Sequence, residues 1–91
     1  MRVIALLLAL LGATSAQAVV DRKCYVELEN GSNVILQGTV PDSQKPEIAF
    51  KEKGFEMDGQ LLMVRKVVEC QSIDQPFNLE AARKQEEQQP R

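Results

Sequence analysis

From Arg22 to Glu29 apolar and polar positions alternate. Cys24, Val26 and Leu28 fall on one face, and Tyr25, Glu27 and Glu29 on the other, the pattern of a half-buried strand. Asn30-Gly31-Ser32 follows as a turn whose residues accept positive φ. Asn33 to Val40 reads as a second strand rich in β-branched residues, with Val34, Leu36 and Val40 sharing a face and Gly38 between them. Two such runs around a short polar turn predict a β-hairpin. Glu27 and Glu29, two apart on the outward face, read as solubilising and edge-protecting residues.

Pro41 to Lys45 is a loop by composition. Pro46 to Lys53 admits two readings. Pro46 suits a first helical turn, Glu47 and Lys51 complement the helix dipole, and Gly54 fits a left-handed position after the helix, with Phe55 folding back on Phe50. Because these end signals agree, a short helix is expected, although Ile48 and Phe50 also alternate as in a strand. Phe55-Glu56-Met57 reads as a brief strand, Asp58-Gly59 as a tight turn, and Gln60 to Gln71 as the longest strand. Leu62, Val64, Val68 and Cys70 are expected on one face, with Lys66 interrupting it. Asp74 is the expected N-cap of a C-terminal helix, with Phe77 and Ala81 holding one turn to the sheet. From Arg83 onward the chain offers nothing apolar to bury, so a fraying helix or a solvated tail is expected.

The first eighteen residues change the context of all this. Arg2 precedes an apolar run from Val3 to Gly12 in which six of ten residues are leucine or isoleucine, and the segment ends Ala16-Gln17-Ala18. A charged start, a short apolar centre and an A-x-A site are the layout of a secretory signal peptide, with cleavage expected between Ala18 and Val19. The run is too short to span a bilayer comfortably, and no later run is long enough. The mature chain, residues 19–91, is then 73 residues long, soluble, monomeric, and periplasmic or secreted. Residues 19–75 form the β-rich domain and residues 76–91 the C-terminal helix and tail.

A domain of this size buries a marginal core, and small exported domains commonly add a disulfide. Cys24 and Cys70 are the only two cysteines, and both face inward on separate strands. They are expected to form one intramolecular bond. Neither belongs to a C-x-x-C motif, and the residues before Cys24 are unlike a lipid-anchor box. Without Arg2, ten basic residues stand against thirteen acidic ones, interspersed, so no basic footprint for nucleic acid exists.

Histidine is absent from the chain. That removes the usual general base and the commonest metal ligand. Ser32, Ser43 and Ser72 lack the context of a catalytic serine. No catalytic residue, cofactor site or metal site is expected, and the chain is read as a non-enzyme. The outward Tyr25, together with Ile35 on the next strand, forms a possible partner-contact patch unless the C-terminal helix covers it.

A leader, Lys23-Cys24-Tyr25-Val26 opening a hairpin, a basic strand ending Val68-Glu69-Cys70, and Phe77…Ala81-Ala82-Arg83 in a closing helix together resemble a known family. It is a family of very small exported bacterial proteins associated with type IVa pilus-type secretion systems of gammaproteobacteria. The resemblance implies a periplasmic accessory role with protein partners among pilus or secretion components. It supplies no catalytic residue. The chain is not itself a pilin, because its apolar run ends at a cleavage site rather than persisting as a long helix. The expected fold is α+β: a small antiparallel sheet of three to four strands with one or two short helices, stapled by one disulfide. The alternative function is inhibition of a secreted protease or other hydrolase through a rigid loop at Pro41 to Lys45.

Overall fold

A computed structural model describes residues 18–89 of the chain. Ala18 and Val19 lie at its start, and the rest of the leader reading falls outside the described residues. The elements run β1 (Val19–Leu28), β2 (Asn33–Pro41), α1 (Pro46–Lys51), β3 (Gly54–Met57), β4 (Gln60–Ser72) and α2 (Glu80–Gln88). The four strands form one sheet in the order β2-β1-β4-β3, every neighbouring pair antiparallel. This is the α+β architecture expected. Among the described residues no helix is long and apolar enough to cross a membrane.

Both hairpins follow from their turn residues. Gly31 takes φ 89°, and Asn30 Oδ1 accepts the Ser32 N–H at 3.0 Å. Asp58 and Gly59 both take positive φ (53° and 78°), the two-residue turn whose twist matches that of paired strands. Pro46 opens α1, with Glu47 in its first turn and Lys51 in its last. Phe50, fully buried, fastens this six-residue helix to the sheet. Burying a phenylalanine contributes about 3 kcal/mol at most, which a helix too short to persist alone requires.

Gly54 departs from expectation. It is not a left-handed cap; α1 ends at Lys51, its C-cap Glu52 takes φ −92°, and Gly54 opens β3 without a positive φ. Its missing side chain makes room for its neighbours instead. A Cβ there would lie 2.9 Å from Leu61 Cδ1 and 3.0 Å from Met63 Sδ.

β4 corrects the alternation most clearly. Cys24 pairs with Cys70 and Tyr25 with Glu69, but Val26 pairs with Val67, Glu27 with Lys66 and Leu28 with Val64. Val68 and Arg65 are therefore bulge residues without an opposite number on β1. Each bulge shifts the pattern by one position, so Val67, not Val68, packs on the core. Lys66 no longer interrupts that face, since it sits opposite Glu27. Two shifts restore parity, and Cys70 returns to the face shared with Leu62 and Val64.

The main core lies on that face. Cys24, Val26 and Leu28 of β1, Val34, Leu36 and Val40 of β2, and Leu62 and Val64 of β4 enclose Phe50. The Cys24–Cys70 disulfide joins the two central strands with the Cα atoms 4.0 Å apart. β1 is thus a central strand, so Glu27 and Glu29 guard no edge. Glu27 instead accepts hydrogen bonds from Arg65, at 2.8 Å from Nε and also from Nη2. The pair is exposed and contributes at most about 1 kcal/mol.

Candidate functional site

The opposite face of the sheet carries a second, smaller cluster. Ile35, Phe77 and Ala82 are buried there, with Tyr25 half-buried beside them. The patch suggested by Tyr25 and Ile35 is therefore covered by the C-terminal segment, with Ile35 at 5% exposure. Helix α2 begins later than its sequence signals indicate. Asp74 does not cap it; Gln75 N–H donates to the Ser72 carbonyl at 3.1 Å in a turn, and the helix starts at Glu80. Phe77 precedes the helix, so it makes no one-turn pair with Ala81. Ala82 is the helical residue that meets the sheet, and Ala81 is exposed.

The start of α2 is held by a residue distant in sequence. Leu79, at the N-cap position, supplies no side-chain cap. Glu69 of β4 accepts the Asn78 N–H at 2.6 Å and the Leu79 N–H at 3.0 Å, placing a carboxylate at the positive end of the helix. Gln71 Nε2 donates to the same carboxylate at 2.8 Å, and Arg83 Nη1 donates to the Phe77 and Asn78 carbonyls at 2.9 and 2.7 Å. Burial by itself would raise the Glu69 carboxyl, but the Asn78 N–H, the Gln71 amide, the Leu79 N–H and the Arg83 charge outweigh it. The group titrates below its ordinary value. With the folded pKa lowered, the stabilisation is complete above the ordinary carboxylate value and is lost as pH falls through the folded one. Protection of the Asn78 and Leu79 amides against hydrogen exchange is expected to weaken over that acidic window. Glu69→Gln should weaken it at neutral pH and flatten the pH response; an unchanged response would remove Glu69 as the cap.

Lys23 is the least expected member of this face. Its alternation predicts only a strand position, yet it is 3% exposed, beneath the C-terminal segment. Its ammonium donates to Glu86 Oε2 at 2.7 Å and lies 4.8 Å from the centroid of the Phe77 ring. A buried ammonium needs a counter-charge, and the ring face adds further attraction. Glu86→Gln removes the charge and keeps the shape. Because Glu86 retains some contact with water, its expected cost is less than the roughly 3 kcal/mol lost on breaking a fully buried pair. Lys23→Met should cost less still, since it leaves no buried charge behind. Equal midpoints in urea for Glu86→Gln and wild type would show that the ion pair has no net role.

The end of α2 is not a free tail. The Gln89 side chain reaches β2, where its Oε1 accepts the Ile35 N–H at 2.8 Å and its Nε2 donates to the Ile35 carbonyl at 2.7 Å. Gln85 Nε2 steadies the same oxygen from 3.0 Å. One amide side chain thus satisfies a strand residue as a neighbouring strand would. By composition this stretch has little apolar surface to bury; hydrogen bonding and charge anchor it instead. Beyond Ile35 the cover stops. Asp21, Gln37, Gly38, Thr39 and Ile73 line a shallow open groove along the outer part of β2.

Among the described residues no cluster of His, Cys, Asp or Glu is arranged to hold a metal ion. This face is a sheet with a helix clamped at both ends and an open edge along the outer part of β2. A family model described as "Type IVa secretion system protein TapY2-like" matches residues 1–91. The chain belongs to this TapY2-like family. No curated protein and no solved structure matches it. Family membership agrees with the resemblance carried by Lys23-Cys24-Tyr25-Val26, Val68-Glu69-Cys70 and Phe77…Arg83. In the structure these three segments meet around the covered face: Lys23 under Phe77, and Glu69 at the start of α2.

Proposed function

We propose that this TapY2-like protein is a non-catalytic accessory component of a type IVa pilus-type secretion system, acting in the periplasm by binding other components. The Cys24–Cys70 disulfide carries the reading. A bond between the two central strands persists in an oxidising compartment and is unfavourable in the reducing cytosol. Together with the family's link to secretion, it favours a working place beyond the inner membrane. The chain's lack of histidine is compatible with a non-catalytic role. The domain limits proposed from the sequence, a leader over residues 1–18 and a mature domain from Val19, belong to the same reading. The inhibitor alternative gains no specific support from the Pro41–Lys45 segment.

The test is made in the native host. Periplasmic extracts should contain a species whose N-terminus is Val19 and whose cysteines resist alkylation until reduced. Deleting the gene should impair pilus-dependent secretion, and complementation should fail with Cys24→Ser. Normal secretion after deletion, or a cytoplasmic protein with an intact Met1, would defeat the proposal.

A further inference from the structure

We infer that the outer edge of β2, at Gln37 and Thr39, is a docking site for an extended segment of another secretion-system protein, which adds to the sheet as a fifth strand. This deepens the accessory reading above and rests on it. Strand addition needs unpaired backbone groups in a row and a strand free of protective charge. In an antiparallel pair alternate residues turn their N–H and C=O groups away from the partner. Ile35 turns both toward Gln89, so Gln37 and Thr39, two and four residues on, face the same open side. β2 is nine residues long without one charged side chain, whereas the opposite edge, β3, has four residues including Glu56.

Gln89 already shows that this edge accepts a strand-like partner, and it occupies only the Ile35 position. It therefore sets where an added strand must stop. The groove defines what the strand should carry. Asp21 lies opposite Thr39 on β1, is exposed, and has no ion pair among the described residues. A lysine or arginine in the added strand opposite Thr39 could reach over that small side chain to the Asp21 carboxylate. A second copy of β2 offers no basic residue for this and would bring another Asp21 instead. Charge therefore favours a different protein over self-pairing.

The test places a photoreactive p-benzoylphenylalanine at Gln37 or Thr39 of the full chain in the native host, with Glu56 and Lys84 as control positions. Adducts are expected from positions 37 and 39 to one secretion-system component, on alternate residues of a single stretch containing Lys or Arg. With the photoprobe at 39, Gln37→Pro removes an edge N–H and should lower the yield about tenfold. Asp21→Lys, at an exposed position that leaves the fold intact, should lower it as well. Adducts only to a second copy of the chain, or yields unmoved by both substitutions, overturn the inference. Adducts to a component from Glu56 or Lys84 but not from 37 or 39 overturn it while leaving the accessory role standing. No adduct from any position, with secretion normal after gene deletion, overturns both.

Discussion

Cys24→Ser is expected to destabilise the oxidised domain by about 4 kcal/mol, the loop-closure entropy of a cross-link spanning 46 positions. The loop contains β2, α1 and β3, so without the bond most of the domain must be assembled by the hydrophobic core alone. That core has one large buried aromatic, Phe50, and otherwise valine, leucine and cysteine. Domains of this size hold only about 5 kcal/mol of net stability, so the variant should be largely unfolded near 37 °C. Cys70→Ser should match it, and the double variant should be no worse than either, because one bond is lost in all three. Denaturant titration with and without reductant measures this directly. A wild-type midpoint insensitive to reductant would mean that the two strands hold together through their ladder and core without the bond.

Phe77→Ala carries the second largest effect, about 3 to 5 kcal/mol if the cavity stays open. Phe77 is 1% exposed, fills the space over Ile35, and presents its ring to the Lys23 ammonium. Its removal strips away apolar contact and takes the ring face from the buried Lys23 ammonium, which keeps its ion pair with Glu86. The loss has a ceiling, however. α2 is nine residues long and too short to persist by itself, so the segment can detach and melt while the disulfide-linked core remains. The expected signature is thus local: lower helical circular dichroism, and rapid hydrogen exchange at Ile35, Asn78 and Leu79. Val26 and Val34 should stay protected. Uniform loss of protection across both groups would show that the two faces fold as one unit and that α2 is no separable cover.

These two residues were not equally visible in the sequence. The cysteine pairing followed from count, context and a shared face. In the sequence Phe77 is only an apolar residue in a polar stretch, and spacing pairs it with Ala81; in the structure Ala82 takes that place, because the chain turns at Ser72–Gln75 and reaches the helix later than Asp74 suggests. The groove residues Asp21, Gln37 and Thr39 had no signal of their own. Their interest comes from which strand became an edge, and strand order is not a local property.

What the sequence by itself determined was local: where the strands and turns lie, that end signals favour a helix over a strand at α1, most residues of the main core, and which cysteines join. Period-2 alternation, left-handed turn residues and helix-end charges act within a few residues, so they can be read one segment at a time. Only the tertiary structure decided that β1 is central, that two bulges place Val67 in the core, that Lys23 is buried, and that Glu69 and Gln89 fasten the C-terminal helix at both ends. Each of these is a polar or backbone group satisfied by a partner about 10 to 63 positions away, or a register set by a neighbouring strand. Such pairings come into being only when the sheet is assembled, and no periodicity along the chain announces them.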